Sequence, residues 1–295
     1  MSGLAGSSAG LPGEPRRIAG WSGIPIAFRA PAIALTALLG IAAVVRETAP
    51  FVFVGILFIY LFTRRFGTRS TAVAAVLPAA AILVWRSLAQ PLAAASGADC
   101  ANLLSPTAAW RFGEGVIALA AIVLLVIDRR ESLAELGFQR GSRRIQGLAI
   151  AAVVVLTPIS LYAATQLGGA SFGGLFFGSY AIDLSQPLAL IPAIVFAASN
   201  AVAEEVAYRG AMRTWLAPSL GVVGANLAQA IVFGLAHTGD DFVDLQGAIP
   251  VMLAMVAVGF IGGVIARRTS SLTLLIAVHL AADIPIYFYW ACRIS

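Results

Sequence analysis

Nine apolar runs, separated by short polar connections, fill most of this chain: residues 26–45, 50–63, 71–92, 113–127, 146–166, 186–205, 219–237, 247–266 and 271–291. A helix that crosses a bilayer needs about 20 mostly apolar residues, with a range of about 17–25, and most of the runs reach that length. The second and fourth are shorter. In hydrocarbon each backbone N–H and C=O must be satisfied inside the protein, which segments of this length achieve as helices. The runs therefore predict an all-α fold, a multi-pass transmembrane helical bundle of about nine helices. Composition agrees: 60 % of residues are hydrophobic and 11 % charged, against about 25 % charged in a soluble domain.

Charge placement orders the helices. Residues 1–25, rich in Gly, Ser and Pro, read as a flexible cytoplasmic tail, and the first apolar run starts too late for a cleavable signal peptide. Residues 26–127 hold N-terminal transmembrane helices of unassigned role. Residues 128–145, with Leu133, Leu136 and Phe138 among charges, predict a short amphipathic connector on the cytoplasmic membrane surface. Residues 146–295 form the transmembrane core. Arginine-rich connections (Arg64, Arg65, Arg69; Arg129, Arg130, Arg140, Arg143, Arg144; Arg209, Arg213; Arg267, Arg268) alternate with arginine-poor ones, including the Gly-rich stretch 168–178 and the acidic loop with Asp240, Asp241 and Asp244. By the positive-inside rule the N-terminus is cytoplasmic and the C-terminus outside. Arg86 breaks the pattern and is expected to snorkel to the interface. The net charge of +5 comes from arginine alone, with no lysine, which points to a GC-rich bacterial source and a bacterial cytoplasmic membrane. Helix-end arginines account for that charge without any nucleic acid. Cys100 and Cys292 are too few for a disulfide framework or a thiolate metal site; Cys100, in a loop, could be a reactive thiol.

Ionisable groups at membrane depth are expensive and mark pathways or active sites. Three clusters stand out. The first is Glu204-Glu205-Val206-Ala207-Tyr208-Arg209. Adjacent residues on a helix point about 100° apart, so the two glutamates have different tasks. Glu205 and Arg209, at i and i+4, share a face and pair. Glu204 is left without a cation, its ionised form poorly solvated, which suits a general acid or base. The alternative is that both glutamates sit at the interface and simply pair with Arg209 and Arg213. The second cluster is Phe233 and His237, one turn apart. The third is His279 and Asp283, also one turn apart, which can act together on a proton, bind a metal, or hold two helices together. Glu204, His237, His279 and Asp283 come from three runs, and helical bundles build sites from inward-facing residues of neighbouring helices. Two imidazoles and two carboxylates can activate water and stabilise an oxyanion, or hold zinc, the one cofactor such a set suggests. Helix counting sets Glu204 toward the cytoplasmic side and His237 at an outer end, a conflict within the same site.

In order and spacing, Glu204-Glu205-Val206-Ala207-Tyr208-Arg209-Gly210, Phe233-Gly234-Leu235-Ala236-His237 and His279-Leu280-Ala281-Ala282-Asp283 resemble the motifs E-E-x-x-x-R, F-x-x-x-H and H-x-x-x-N/D. These belong to the CAAX-protease and bacteriocin-processing family of intramembrane endopeptidases, the type II CAAX prenyl endopeptidase-like proteins. Leu136-Gly137-Phe138-Gln139-Arg140 is similar to the family's L-G-[apolar]-x-R segment. The resemblance covers roughly residues 186–290. It implies that Glu204 activates water with His237, and that His279 and Asp283 stabilise the oxyanion or join the others as metal ligands. Glu205, Arg209 and Phe233 would support them. The last motif often ends in Asn; an ionised Asp283 would repel an oxyanion, whereas a metal would favour it.

The expectation is an intramembrane endopeptidase, glutamate- or metal-dependent, acting on a membrane-associated peptide or protein, with the lipid bilayer as its other partner. The rival readings are a proton-coupled transporter, which would use the same buried acids and histidines as a relay, and a catalytically silent membrane scaffold.

Overall fold

The computed structural model describes residues 25–66, 70–95, 100–102, 105–167, 181–182, 185–238, 245–291 and 293–294. These form helices α1 (Ile26–Val44), α2 (Ala49–Arg65), α3 (Thr71–Ala95), α4 (Pro106–Arg129), α5 (Arg143–Leu167) and α6 (Leu190–Glu204). A π-helix (Glu205–Met212) continues α6 into α7 (Arg213–Leu235), and α8 (Leu245–Thr269) and α9 (Thr273–Ala291) follow. The departure from all-α is a pair of two-residue strands, Ala181–Ile182 antiparallel to Arg293–Ile294. The expected tail, the Gly-rich stretch 168–178, the acidic loop residues Asp240, Asp241 and Asp244, and Cys292 lie outside the described residues.

Among the described residues, six helical stretches are long and apolar enough to cross a membrane: Arg46–Arg65, Thr71–Ala89, Pro106–Arg129, Arg143–Ala164, Pro187–Leu235 and Ala248–Thr269. Arg29–Val44 and Thr273–Phe288 are apolar but shorter. The count is thus six where about nine were expected. Two of the expected helices, 186–205 and 219–237, fall inside the one stretch Pro187–Leu235. A straight helix of its 49 residues would be roughly 74 Å long, more than twice the hydrocarbon core of about 30 Å. It does not run straight. Gly221 has φ 71° and ψ 167°, a region essentially restricted to glycine, and Pro218 just before it lacks the N–H of a continuing helix. The two arms fold back on each other, so that the rings of Tyr208 and Phe233 meet edge to face with centroids 5.4 Å apart.

Small residues set the packing. Every residue from 72 to 83 of α3 is buried, and six of them are alanine. Small side chains let helix backbones approach closely where lipid supplies no hydrophobic drive between helices. The central helix α3 touches α1, α2, α4, α7 and the π-helix. Helices α2 and α5 instead expose large apolar side chains, such as Phe51, Phe58, Ile150 and Val154, the pattern of a surface facing lipid. Between α7 and α8, Asn226 Nδ2 donates to Phe260 O (3.0 Å) and Gln229 Nε2 to Gly259 O (2.8 Å).

The connector differs from the expected surface helix. It is one 3₁₀ turn, Leu133–Leu136, followed by irregular chain. Leu136 is fully buried, and Gly137 O accepts from Leu272 N (3.0 Å). Gly210 leaves room for this segment, since a Cβ there would lie 3.0 Å from Leu136 O. The Leu136-Gly137 pair thus wedges the connector beneath the π-helix. Cys100 is not a free thiol: it is buried and disulfide-bonded, and its carbonyl accepts from Tyr287 Oη (3.0 Å), tying the α3–α4 turn to α9.

Candidate active site

The reversal at Gly221 brings the first two motifs to one level. Sixteen residues separate Glu204 from Leu220, and sixteen separate Gly221 from His237. At about 1.5 Å per residue each arm is roughly 24 Å long. Glu204 Oε2 and His237 Nε2 accordingly stand 3.8 Å apart. This removes the conflict in depth: the helix does not end near residue 205 but continues through the π-helix to the turn. Hydropathy falls over 204–209 because the charged residues there are buried in pairs.

Glu204 is fully buried. One of its oxygens, Oε1, receives Nη2 of Arg86 from α3. The expectation that Glu204 lacks a cation is therefore overturned, and so is the expectation that Arg86 snorkels. Arg86 lies on a helix enclosed by its neighbours, is itself buried, and meets Glu114 of α4 through Nη2 (2.6 Å) and Nε (3.2 Å). Arg111 Nη1 reaches the other oxygen of Glu114 at 2.7 Å. The second oxygen of Glu204, Oε2, is buried without a hydrogen-bond partner. Facing it are the Nε2 atoms of His237 at 3.8 Å and His279 at 3.5 Å.

Each imidazole is oriented by its other nitrogen. His237 Nδ1 lies 2.7 Å from Phe233 O; a carbonyl only accepts, so Nδ1 carries the proton and the neutral ring turns a lone pair on Nε2 toward Glu204. The Phe233 ring also packs on the imidazole, with centroids 4.4 Å apart, and the Arg209 guanidinium sits 3.8 Å from the Phe233 centroid. His279 Nδ1 donates to Glu205 Oε1 (2.9 Å). Glu205 also pairs with Arg209 Nη1 at 3.3 Å. The adjacent glutamates thus point at different partners, Glu204 at Arg86 and the Nε2 atoms, Glu205 at Arg209 and Nδ1 of His279. Asp283, one turn after His279, places Oδ2 3.4 Å from His279 Nε2 and accepts there from Asn200 Nδ2 at 2.7 Å.

The structure therefore gathers Glu204, Glu205, Arg209, Phe233, His237, His279 and Asp283 in one place. Sequence reasoning missed Arg86, Glu114 and Asn200. Asn200 precedes Glu204 by one helical turn and shares its face, a signal available from spacing alone; Arg86 and Glu114 carry no such mark. The imidazoles form the accessible edge, with side-chain exposures of 27 % for His237 and 15 % for His279 against 1 % for Glu204.

Arg86 pairs with Glu204 at Oε1, which leaves less uncompensated negative charge at the site to draw a dication such as zinc. Among the described residues no group of three or more His, Cys, Asp and Glu side chains is placed to hold a metal.

Neither a search of curated proteins nor one of solved structures found a match. The apolar helices mark an integral membrane protein, and the segment that holds the converging motif residues has a family match that implies protease activity. Residues 186–285 match the family of Rce1-like type II CAAX prenyl endopeptidases.

Proposed function

We propose that the chain is an intramembrane endopeptidase that cleaves a peptide bond of a membrane-associated peptide or protein by a metal-free route. The observation that carries this reading is Glu204 Oε2: it is buried, has no hydrogen-bond partner, and faces two imidazole Nε2 atoms. A water at that point donates one proton to Glu204 Oε2 and the other to His237 Nε2, leaving its oxygen free to attack a carbonyl carbon. As the C–O bond forms, the water proton passes to this pair and the carbonyl becomes a tetrahedral oxyanion. His279, whose Nδ1 proton is committed to Glu205, donates from Nε2 in its doubly protonated form. Asp283 steadies that side of the site through Asn200, and as a neutral acid it donates to the oxyanion as well. Collapse breaks the C–N bond, and His237 returns the proton to the leaving amine. The products are a new carboxylate and a new amine. The absence of lysine supports a bacterial cytoplasmic membrane, and the alternation of arginines supports an N-terminus inside.

The test compares the membrane peptides of cells carrying the wild-type chain with those carrying Glu204→Ala at matched protein levels. Defined cleavage products should vanish in the variant while the protein still inserts. An unchanged inventory, with wild-type activity restored to no peptide, overturns the proposal.

A further inference from the structure

The residues that match the protease family begin at 186, yet the closest cation to Glu204 comes from Arg86, a hundred residues earlier in a helix without an assigned role. We propose that Arg86 is a positioning residue for the active site, and that α3 and α4 are part of the catalytic unit. The proposal rests on the reading of Glu204 as the group that activates water.

Three observations combine. First, Arg86 is buried, at 4 % exposure, in a part of the bundle that cannot rehydrate it. A buried charge persists only when it is paired and hydrogen-bonded. Second, its guanidinium is fixed from behind. Glu114 takes Nε and Nη2, and Arg111 holds Glu114 in turn. This chain of contacts, Arg111 to Glu114 to Arg86 to Glu204, crosses from α4 through α3 to α6. Arg86 Nη2 also lies 3.5 Å from Asn200 Oδ1, and Asn200 is the residue that holds Asp283. Third, the contact is regiospecific. Arg86 occupies Oε1 and leaves Oε2 toward the imidazoles. Of the two carboxylate oxygens, only the one facing the proposed water is left open.

The charges close as well in the resting site, before His279 takes up its second proton and with Asp283 as the neutral acid: Arg86, Arg111 and Arg209 match Glu114, Glu204 and Glu205, three against three. Removing Arg86 leaves one buried carboxylate in excess. The one with the least support is Glu204, since Glu114 keeps Arg111 and Glu205 keeps Arg209. Glu204 then takes up a proton and rotates freely, and the base is lost. Arg86 does not reach the exposed edge where substrate enters, so its loss acts on turnover and not on substrate binding.

The experiment uses the full-length protein in lipid nanodiscs, with two readouts. Cleavage is measured on a synthetic peptide spanning one of the sites lost in Glu204→Ala cells. Protonation is read from the infrared carbonyl stretch of a protonated carboxyl group, assigned by its absence after Glu204→Gln. Arg86→Met should lower kcat by about a hundredfold or more, the scale of a misplaced catalytic group, with KM unchanged, and should show the new carbonyl band. The band should be missing in the double variant Arg86→Met/Glu204→Gln. Arg86→Lys should keep the carboxylate form and recover most of the turnover. Glu114→Gln, which leaves Arg86 present but loosely held, should lower kcat about tenfold at constant KM, and it decides the matter if Arg86→Met fails to fold. Wild-type or faster cleavage by Arg86→Met, a loss expressed in KM, or the absence of the carbonyl band overturns the proposal; faster cleavage would mark Arg86 as a lock on Glu204. If Glu204→Ala itself changes no peptide, the protease reading has failed, and the infrared arm still decides whether Arg86 holds Glu204 ionised.

Discussion

Replacing Gly221 by alanine should disturb both stability and catalysis, although Gly221 touches none of the converging side chains. Its backbone angles, φ 71° and ψ 167°, cost a residue with a Cβ about 1–3 kcal/mol. If the turn holds, the variant is destabilised by that amount, measured as reversible unfolding in mixed micelles. If the turn relaxes, the arms move. Glu204 and His237 sit at the ends of arms roughly 24 Å long, so a tilt of about 5° displaces one end by about 2 Å. A misplacement of about 1 Å costs about a hundredfold in rate, so turnover of the peptides that Glu204→Ala spares should fall by at least that factor. Gly55→Ala is the control: Gly55 lies on the exposed side of α2 with nothing within 4 Å of an added Cβ, and the change should stay within about 0.5 kcal/mol of wild type. If Gly221→Ala is as stable and as active as Gly55→Ala, the helical hairpin does not set the site's geometry as argued.

Asp283→Asn should keep turnover within about tenfold of wild type, or about 1.4 kcal/mol of barrier, because the amide oxygen can still accept from Asn200 while its nitrogen donates toward an oxyanion; a loss beyond a hundredfold counts against a neutral, donating group at this position. Glu205→Gln should act on stability, by about 3–5 kcal/mol in an unfolding titration, because it leaves the buried Arg209 without its carboxylate; wild-type stability would show that Arg209 is held by Phe233 instead. Reporter fusions at residue 66 and at the C-terminus should report opposite sides of the membrane, as the arginine alternation requires, and finding both on one side refutes that orientation.

Relations confined to one helix could be read from the sequence. His279 and Asp283 share a face because they are one turn apart, and their facing atoms lie 3.4 Å from each other. Glu204 and Glu205 had to diverge because they are adjacent, and they do, toward Arg86 and toward His279. The chemistry of each motif is local in this sense, and so the motif residues were found. Relations between helices were not readable. Arg86 stands in α3 with no charged neighbour within a turn, and only the packing of α3 against α4 and α6 supplies Glu114 and Glu204.

The misplaced helix end near residue 205 has the same cause. A hydropathy run stops where charges begin, and charges begin for two different physical reasons. At an interface they are solvated by water, and the helix does end. Inside a bundle they are solvated by one another, and the helix goes on. Glu204, Glu205 and Arg209 are of the second kind: all three are buried, and their partners lie on α3, α9 and the π-helix itself. The two cases differ in charge balance. An interfacial cluster such as Arg267 and Arg268 is of one sign, as attraction to the cytoplasmic side demands. A cluster that must survive in hydrocarbon has to be nearly neutral, because an uncompensated charge there is too costly to keep. Arg86, Arg111 and Arg209 against Glu114, Glu204 and Glu205 meet that condition only when residues from three separate stretches are counted together. A mixed-sign cluster at the apparent end of an apolar run is thus a reason to continue the helix and to look for the missing counter-charge in another one.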